Sequence, residues 1–318
     1  MPVSRAEAVA LFPTGGAIPE ELQIGRSAVI DDLTAAATGG STLIFAEARR
    51  LGKSSLLLAM TDRILRDGND RLALSVDLRD GIANSSELAS TLLTQANKQG
   101  AGAAVKTMAA KNKLSQLAPA ALNKLRAAGK VLGEEDDAAA LGALGTLLSP
   151  SEATLRGALL VLDAHGHATG QRTIIVLDEA QDLVRWDDAL EVQQEIANTI
   201  KRARSTVNFV FSGSETHTLL ALYEDPQRPL HGLGMRFPLP EISRDDWSAG
   251  LRERFDTAGI PVDSEQLHQI LYYSDGHPLR TMLICAHALD WLEDERISAE
   301  TIRRAIASAE RHPSWSVT

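Results

Sequence analysis

A lysine and two hydroxyls behind a glycine, Gly52-Lys53-Ser54-Ser55, can hold phosphate and a magnesium ion if a strand leads in and a helix leads out. Both are present: Thr42-Leu43-Ile44-Phe45-Ala46 reads as a strand, and Leu56 to Leu65 reads as a helix. In that setting the backbone N–H groups of Arg49, Arg50, Leu51, Gly52 and Ser55 and the helix start face phosphate oxygens. Lys53 reaches the outer phosphates, and the Ser54 hydroxyl holds the metal. The full pattern has another glycine five residues before Gly52, where this chain has Glu47. Losing that glycine costs about 1 kcal/mol if the backbone there must still turn left-handed. The Glu47 carboxylate must also point away, because like charges about 4 Å apart repel by roughly 4 kcal/mol at an effective dielectric near 20.

A short Gly-Lys-Ser sequence recurs by chance, so a second element has to support it. Thr173-Ile174-Ile175-Val176-Leu177-Asp178-Glu179 is a continuous apolar run that ends in two carboxylates. It reads as a strand buried on both faces, with the acids at the carboxyl end of a parallel sheet, where ligands bind. Asp178 suits the metal and Glu179 the attacking water. Either stretch alone would be read as a buried strand with a solvated turn; together and in this order they favour nucleotide binding.

Further segments carry a resemblance. These are Gln23-Ile24-Gly25-Arg26, then Phe209-Val210-Phe211-Ser212-Gly213-Ser214, then Pro229-Leu230-His231-Gly232 with Arg236-Phe237-Pro238, and Asp275-Gly276-His277-Pro278. With the two elements above, they make the chain similar to P-loop ATPases of the AAA+ and STAND group, closest to the archaeal-type ATPases of archaea and bacteria. The likeness covers about residues 20–290. It implies ATP and Mg2+ as cofactors, with Ile24, Gly25, Arg26, His277 and Pro278 around the adenine. It also implies Ser212 or Ser214 as a γ-phosphate sensor and a subunit or protein partner that supplies an arginine. Leu233 stands where many relatives have that arginine, which leaves Arg236 and Arg228 as substitutes. Arg280 is either a lid sensor of the γ-phosphate or a solvated helix arginine.

The elements that must position these residues follow. Strands are predicted near 41–46, 72–77, 173–178, 208–212 and 235–239, alternating with helices. This is an α/β P-loop NTPase core with a five-stranded, mainly parallel sheet, followed by an all-helical lid. The expected domains are a lead-in at 1–20 with Phe12 as an anchor, a core at 21–240 and a lid at 241–318. The capping-box start at Asp263-Ser264-Glu265-Gln266 belongs to the lid.

Within the core, 88–150 is a helical insertion. From Leu88 to Gly133 there is no Asp or Glu, while Lys98, Lys106, Lys111, Lys113, Lys124, Arg126 and Lys130 fall there. This stretch could meet nucleic acid, an anionic membrane or an acidic partner; solvated lysines on an ordinary helical insertion are the plainer alternative.

Composition limits the function classes. Of 318 residues 44% are apolar, so the chain folds, and a net charge of −10 argues against coating DNA by charge alone. With the single Cys285, no secretory leader and no 18-residue apolar run, a cytoplasmic protein without a membrane span is expected. His165-Gly166-His167 lacks acidic or Cys partners at ligand spacing and reads as a polar loop.

The residues support an ATPase switch that works by core and lid rearrangement, with ATP or ADP bound and homo-oligomers or protein partners. The alternatives are a DNA-associated regulatory ATPase and a non-hydrolysing ATP-bound scaffold.

Overall fold

The structure, a computed structural model, describes residues 4–67, 71–101, 154–202, 204–292 and 296–315. The basic stretch beyond Lys98, from Lys106 to Lys130, lies outside these residues. In chain order the elements are α1 (Arg5–Ala10), α2 (Ser27–Thr38), β1 (Leu43–Ala46), α3 (Lys53–Arg66), β2 (Arg71–Asp77) and α4 (Ser85–Lys98). There follow α5 (Leu155–Thr169), β3 (Arg172–Asp178), α6 (Ala189–Lys201), β4 (Val207–Gly213), α7 (Thr216–Glu224) and β5 (Met235–Arg236). Four helices complete the order: α8 (Arg244–Thr257), α9 (Ser264–Ser274), α10 (Pro278–Ala288) and α11 (Ala299–Ala309).

The chain divides into two compact units: residues 33–46 with 60–237, and residues 1–32 with 47–59 and 238–318. The first holds a five-stranded sheet in the order β2-β3-β4-β1-β5, with every pairing parallel. β3 and β4 are buried almost throughout, as strands covered by helices on both faces must be. Edge strand β2 is sealed by side chains. Gln99 donates to the Ala73 carbonyl at 2.6 Å and accepts from its N–H at 3.0 Å, and Gln95 does the same for Ser75 at 2.7 and 3.0 Å. Two amides four residues apart, Gln95 on α4 and Gln99 at its C-cap, thus imitate a neighbouring strand and close an edge that would otherwise invite pairing.

The His165-Gly166-His167 stretch is helical rather than a loop: it lies in α5, where buried His165 pairs with Gln171 and His167 faces buried Asp163. The apolar face of α5 outweighs the polar look of three residues. Trp186 is buried in the sheet unit's core.

The second unit is helical. Phe12 is buried against Phe255 with ring centroids 4.6 Å apart, so the lead-in is anchored by a side chain in the helical core. The capping box at Asp263 and Gln266 starts α9, and Pro278 starts α10 with His277 as its N-cap. Asp275 and Gly276 both adopt positive φ, which turns the chain sharply between these helices. No helix among the described residues is long and apolar enough to cross a membrane.

Candidate functional site

In the helical unit the loop at 47–52 supplies its left-handed turns without a glycine at 47. Arg50 takes φ 66 and Gly52 takes φ 91. The conformation that glycine adopts without cost has moved to a non-glycine residue, at about 1–2 kcal/mol. Arg50 is held there by a bond from Nη1 to the Ser314 carbonyl, 2.5 Å. Lys53 opens α3, is almost fully buried, and donates from Nζ to the carbonyls of Glu47 at 2.7 Å and Ala48 at 2.6 Å. The ammonium is therefore poised across the loop. Ser54 is exposed on the first turn, and Arg49 is exposed on the loop.

Beside the loop lies an apolar slot of about 60 Å³ lined by Leu22, Ile24, Arg26, Leu51, Gly52, Trp247, Pro278 and Met282. It shares Ile18, Gly52, Ser55, Pro278 and Met282 with a roomier cavity of about 310 Å³ that Arg50 and Ser314 also line. The N-terminal segment that walls the slot is stitched to α3. Ile18 N–H donates to Ser55 Oγ at 3.1 Å, and the Gln23 amide donates to the Ser55 carbonyl at 2.8 Å. Trp247 Nε1 donates to the Gly276 carbonyl at 3.0 Å and holds the turn that places Pro278. Arg26 is buried, so its guanidinium is harder to charge and its pKa falls to about 10; it donates to the Pro240 carbonyl at 2.5 Å and the Leu51 carbonyl at 3.5 Å. Arg280 Nε donates to the Trp315 carbonyl at 3.2 Å. His277 is held below its ordinary pKa by burial first and then by the positive charges of Arg280 and Arg50. It therefore stays neutral near neutral pH.

In the sheet unit the carboxyl ends of the strands gather the other polar residues. Asp178 lies opposite Asp77 in the β2–β3 register, is almost fully buried, and accepts the Glu179 N–H at 2.9 Å. Glu179 takes the left-handed conformation, φ 54, which aims its side chain off the strand direction. Its carboxylate receives Arg79 Nη1 at 2.9 Å, Ser214 Oγ at 2.8 Å and the Gln181 amide. Burial raises the Glu179 pKa, but those donors outweigh it and the net shift is downward, so the group is an anion. A Cβ on Gly213 would fall 2.1 Å from the Gln181 side-chain oxygen, so a larger residue there would displace the amide that bonds Glu179. Arg79 continues into a network with Asp182 at 3.4 Å, and Arg185 joins Asp182 at 2.7 Å and Glu215 at 2.8 Å. Asp77 is pushed up by burial and by its carboxylate neighbours, Asp178 first. Ser212 is fully buried next to β1, and its hydroxyl has no hydrogen-bond partner among the described residues. Arg236 on β5 reaches the Ala46 carbonyl at 3.4 Å.

No protein-family signature matches the sequence, and no curated protein matches it. Solved structures do. A Walker-type ATPase of Pyrococcus abyssi superposes with a TM-score of 0.63 at 19% identity, covering 94% of this chain and 75% of that one. The ORC2 protein of Aeropyrum pernix, in ADPNP-ADP complexes, gives 0.57 at 14% identity over 95% and 71%. The ORC1 protein of the same organism, in complex with DNA, gives 0.53 at 16% identity over 94% and 67%. The chain shares the fold of these structures, with the α/β core of a P-loop NTPase.

Within that fold the structure gathers the candidate residues into two groups. Ile24, Arg26, Arg50, Leu51, Gly52, Ser55 and Pro278 line the two connected cavities of the helical unit, with Lys53 at the start of α3 reaching back to the loop. Gly25 lines a separate cavity on the far side of Ile24, and His277 caps α10 without lining either. Asp178, Glu179, Ser212, Ser214 and Arg236 stand at the carboxyl end of the sheet. Sequence reasoning missed Arg79 and the roles of Gln181, Trp247 and residues 312–315. The only signal for Arg79 was its place two residues beyond the strand that neighbours the acidic one.

Proposed function

We propose that this chain is an ATP-dependent molecular switch of the AAA+ and STAND type. It binds ATP with Mg2+, hydrolyses the β–γ bond and works with further copies of itself or with a protein partner. The observation that carries this reading is the helical unit's cavity pair. An apolar slot lined by Pro278 and Trp247 opens beside a loop whose carbonyls at Glu47 and Ala48 receive the buried lysine.

A purine is larger than the 60 Å³ slot alone and would occupy it together with the adjoining 310 Å³ cavity, while the phosphates suit the loop amides and Lys53, which exchanges neutral carbonyls for anionic oxygens. Ser54 and Asp178 are hard oxygen donors of the kind magnesium takes, one or two from protein with the rest from phosphate and water. When bound, Mg2+ neutralises charge on the β and γ oxygens. Glu179 orients the attacking water once one of its oxygens is released by Arg79, Gln181 or Ser214. Ser212, a buried hydroxyl with donor capacity to spare, reports the γ-phosphate. Arg280 serves as a phosphate contact after leaving the Trp315 carbonyl, while Arg236 is the candidate for the arginine offered to a neighbouring copy.

The test is Mg2+-dependent ATP turnover by the wild type and Glu179→Gln across protein concentration. Turnover that rises with concentration and disappears in the variant supports an assembling ATPase. Absence of ATP binding refutes the proposal, and binding without turnover in either protein moves it to an ATP-bound scaffold.

The second reading, a DNA-associated regulatory ATPase, draws on the Lys98 to Lys130 stretch and on the DNA-bound ORC1 relative. DNA would then stimulate turnover, and added salt would weaken that stimulation steeply.

A further inference from the structure

Arg50 and Arg280 are separated by 230 positions in sequence, yet they are bonded to consecutive carbonyls of one short segment. Arg50 Nη1 donates to Ser314 O at 2.5 Å, and Arg280 Nε donates to Trp315 O at 3.2 Å. The Arg280 guanidinium also lies 5.4 Å from the centre of the Trp315 ring. The segment is a tight turn built on the end of α11. His312 N–H donates to the Ala309 carbonyl at 2.9 Å, Trp315 N–H to the His312 carbonyl at 2.9 Å, and Ser314 N–H to His312 Nδ1 at 3.1 Å. Trp315 packs against the helical core, while Ser314 forms part of the wall of the 310 Å³ cavity together with Arg50, Gly52 and Pro278.

We propose that residues 312–315 are a strap that competes with bound phosphates for Arg50 and Arg280, so that docking of the strap opposes occupation of the nucleotide site. The proposal rests on the nucleotide reading above. Its physical basis is the difference between the two acceptors. A guanidinium bonded to a neutral carbonyl makes one bond assisted by a single charge, whereas a phosphate offers full negative charge and accepts two parallel bonds. The phosphates therefore win the arginines where they reach them, and the docked strap lowers the apparent affinity by the fraction of time it stays docked. Adenosine carries no phosphate and so offers neither arginine an anionic partner.

The experiment compares the full chain with Trp315→Ala, which removes the packing anchor, and with His312→Ala, which unpins the turn and leaves that anchor in place. Calorimetry with Mg-ATP, ADP and adenosine is combined with hydrogen exchange of the amides at 312–315. The expected result is about a tenfold gain in ATP affinity in both variants, the factor that applies when the binding-competent form is about a tenth of the population. Adenosine affinity stays unchanged, and ATP or ADP, but not adenosine, speeds exchange at 312–315 in the wild type. ATP binding only in the variants supports the strap most strongly.

Wild-type ATP affinity in both variants, weaker binding, slower exchange under ATP, or loosening by adenosine overturns it. If the wild type binds ATP and those results follow, the strap alone fails. If no form binds ATP, the nucleotide reading fails with it.

Discussion

Gly250 on α8 offers a way to perturb the slot without touching the phosphate loop. A Cβ there would lie 2.7 Å from both Cγ1 and Cγ2 of Ile24 and 3.0 Å from its Cδ1. Carbon atoms pack best at about 3.5–4.0 Å, so Ile24 must retreat by about 1 Å in Gly250→Ala. Ile24 walls the 60 Å³ slot on one side and the cavity that Gly250 lines on the other, so the retreat narrows the slot. The stability cost is partly offset. Alanine improves the helix by about 1 kcal/mol, and overpacking costs about 1–3 kcal/mol, for a net loss of roughly 0–2 kcal/mol. Binding of the base suffers more: losing about 1.4 kcal/mol of contact weakens ATP roughly tenfold. Calorimetric titration with ATP, with inorganic triphosphate as the ligand that lacks a base, together with urea denaturation, separates the effects. Weakened ATP binding with unchanged triphosphate binding is the expected pattern. A folded variant that binds ATP like the wild type, or that loses triphosphate equally, would refute the assignment of Ile24 as a wall of the base site.

Four further outcomes follow from the geometry. Arg79→Ala frees Glu179 from a partly exposed ion pair worth about 1 kcal/mol, so steady-state turnover should rise roughly fivefold; unchanged or slower turnover rejects restraint by Arg79. Lys53→Met should weaken ATP by at least about a hundredfold through loss of a charge-assisted phosphate bond, while the far-ultraviolet circular dichroism stays that of the wild type. Gln99→Leu unseals Ala73 at the β2 edge and should cost about 1–3 kcal/mol in urea titrations, with more aggregation on concentration. Burial lowers the pKa of both His165 and His277, so their contribution to stability is complete above the ordinary value of 6.5 and declines as pH falls below it. Melting temperatures measured from pH 7.5 down to 5.5 should therefore drop, and His277→Gln should flatten part of that drop.

Arg79 and Ser212 show where sequence reading reaches its limit. Ser212 could be named because the Phe209 to Ser214 segment resembles the fourth strand and sensor of the AAA+ and STAND group, a likeness carried by contiguous residues. Arg79 could not, because its importance comes from pairing β2 with β3, strands separated by almost a hundred residues. The His165 and His167 reading failed for a related reason. Three polar or small residues say little locally, whereas burial of the whole α5 face decides their conformation.

The order of strands and helices, the strand-loop-helix around Gly52 and Lys53, the acidic end of β3 and the capping boxes of the helical segment were all determined by the sequence itself. Each depends on periodicity or on residues within a few positions of one another, and such short-range physics is written directly in the chain. Tertiary structure alone decided that left-handed backbone would fall on Arg50, that Glu179 would be held by three donors, and that Ser314 and Trp315 would meet two distant arginines. These outcomes depend on which surfaces meet once apolar faces are buried, and no local pattern of residues encodes that meeting.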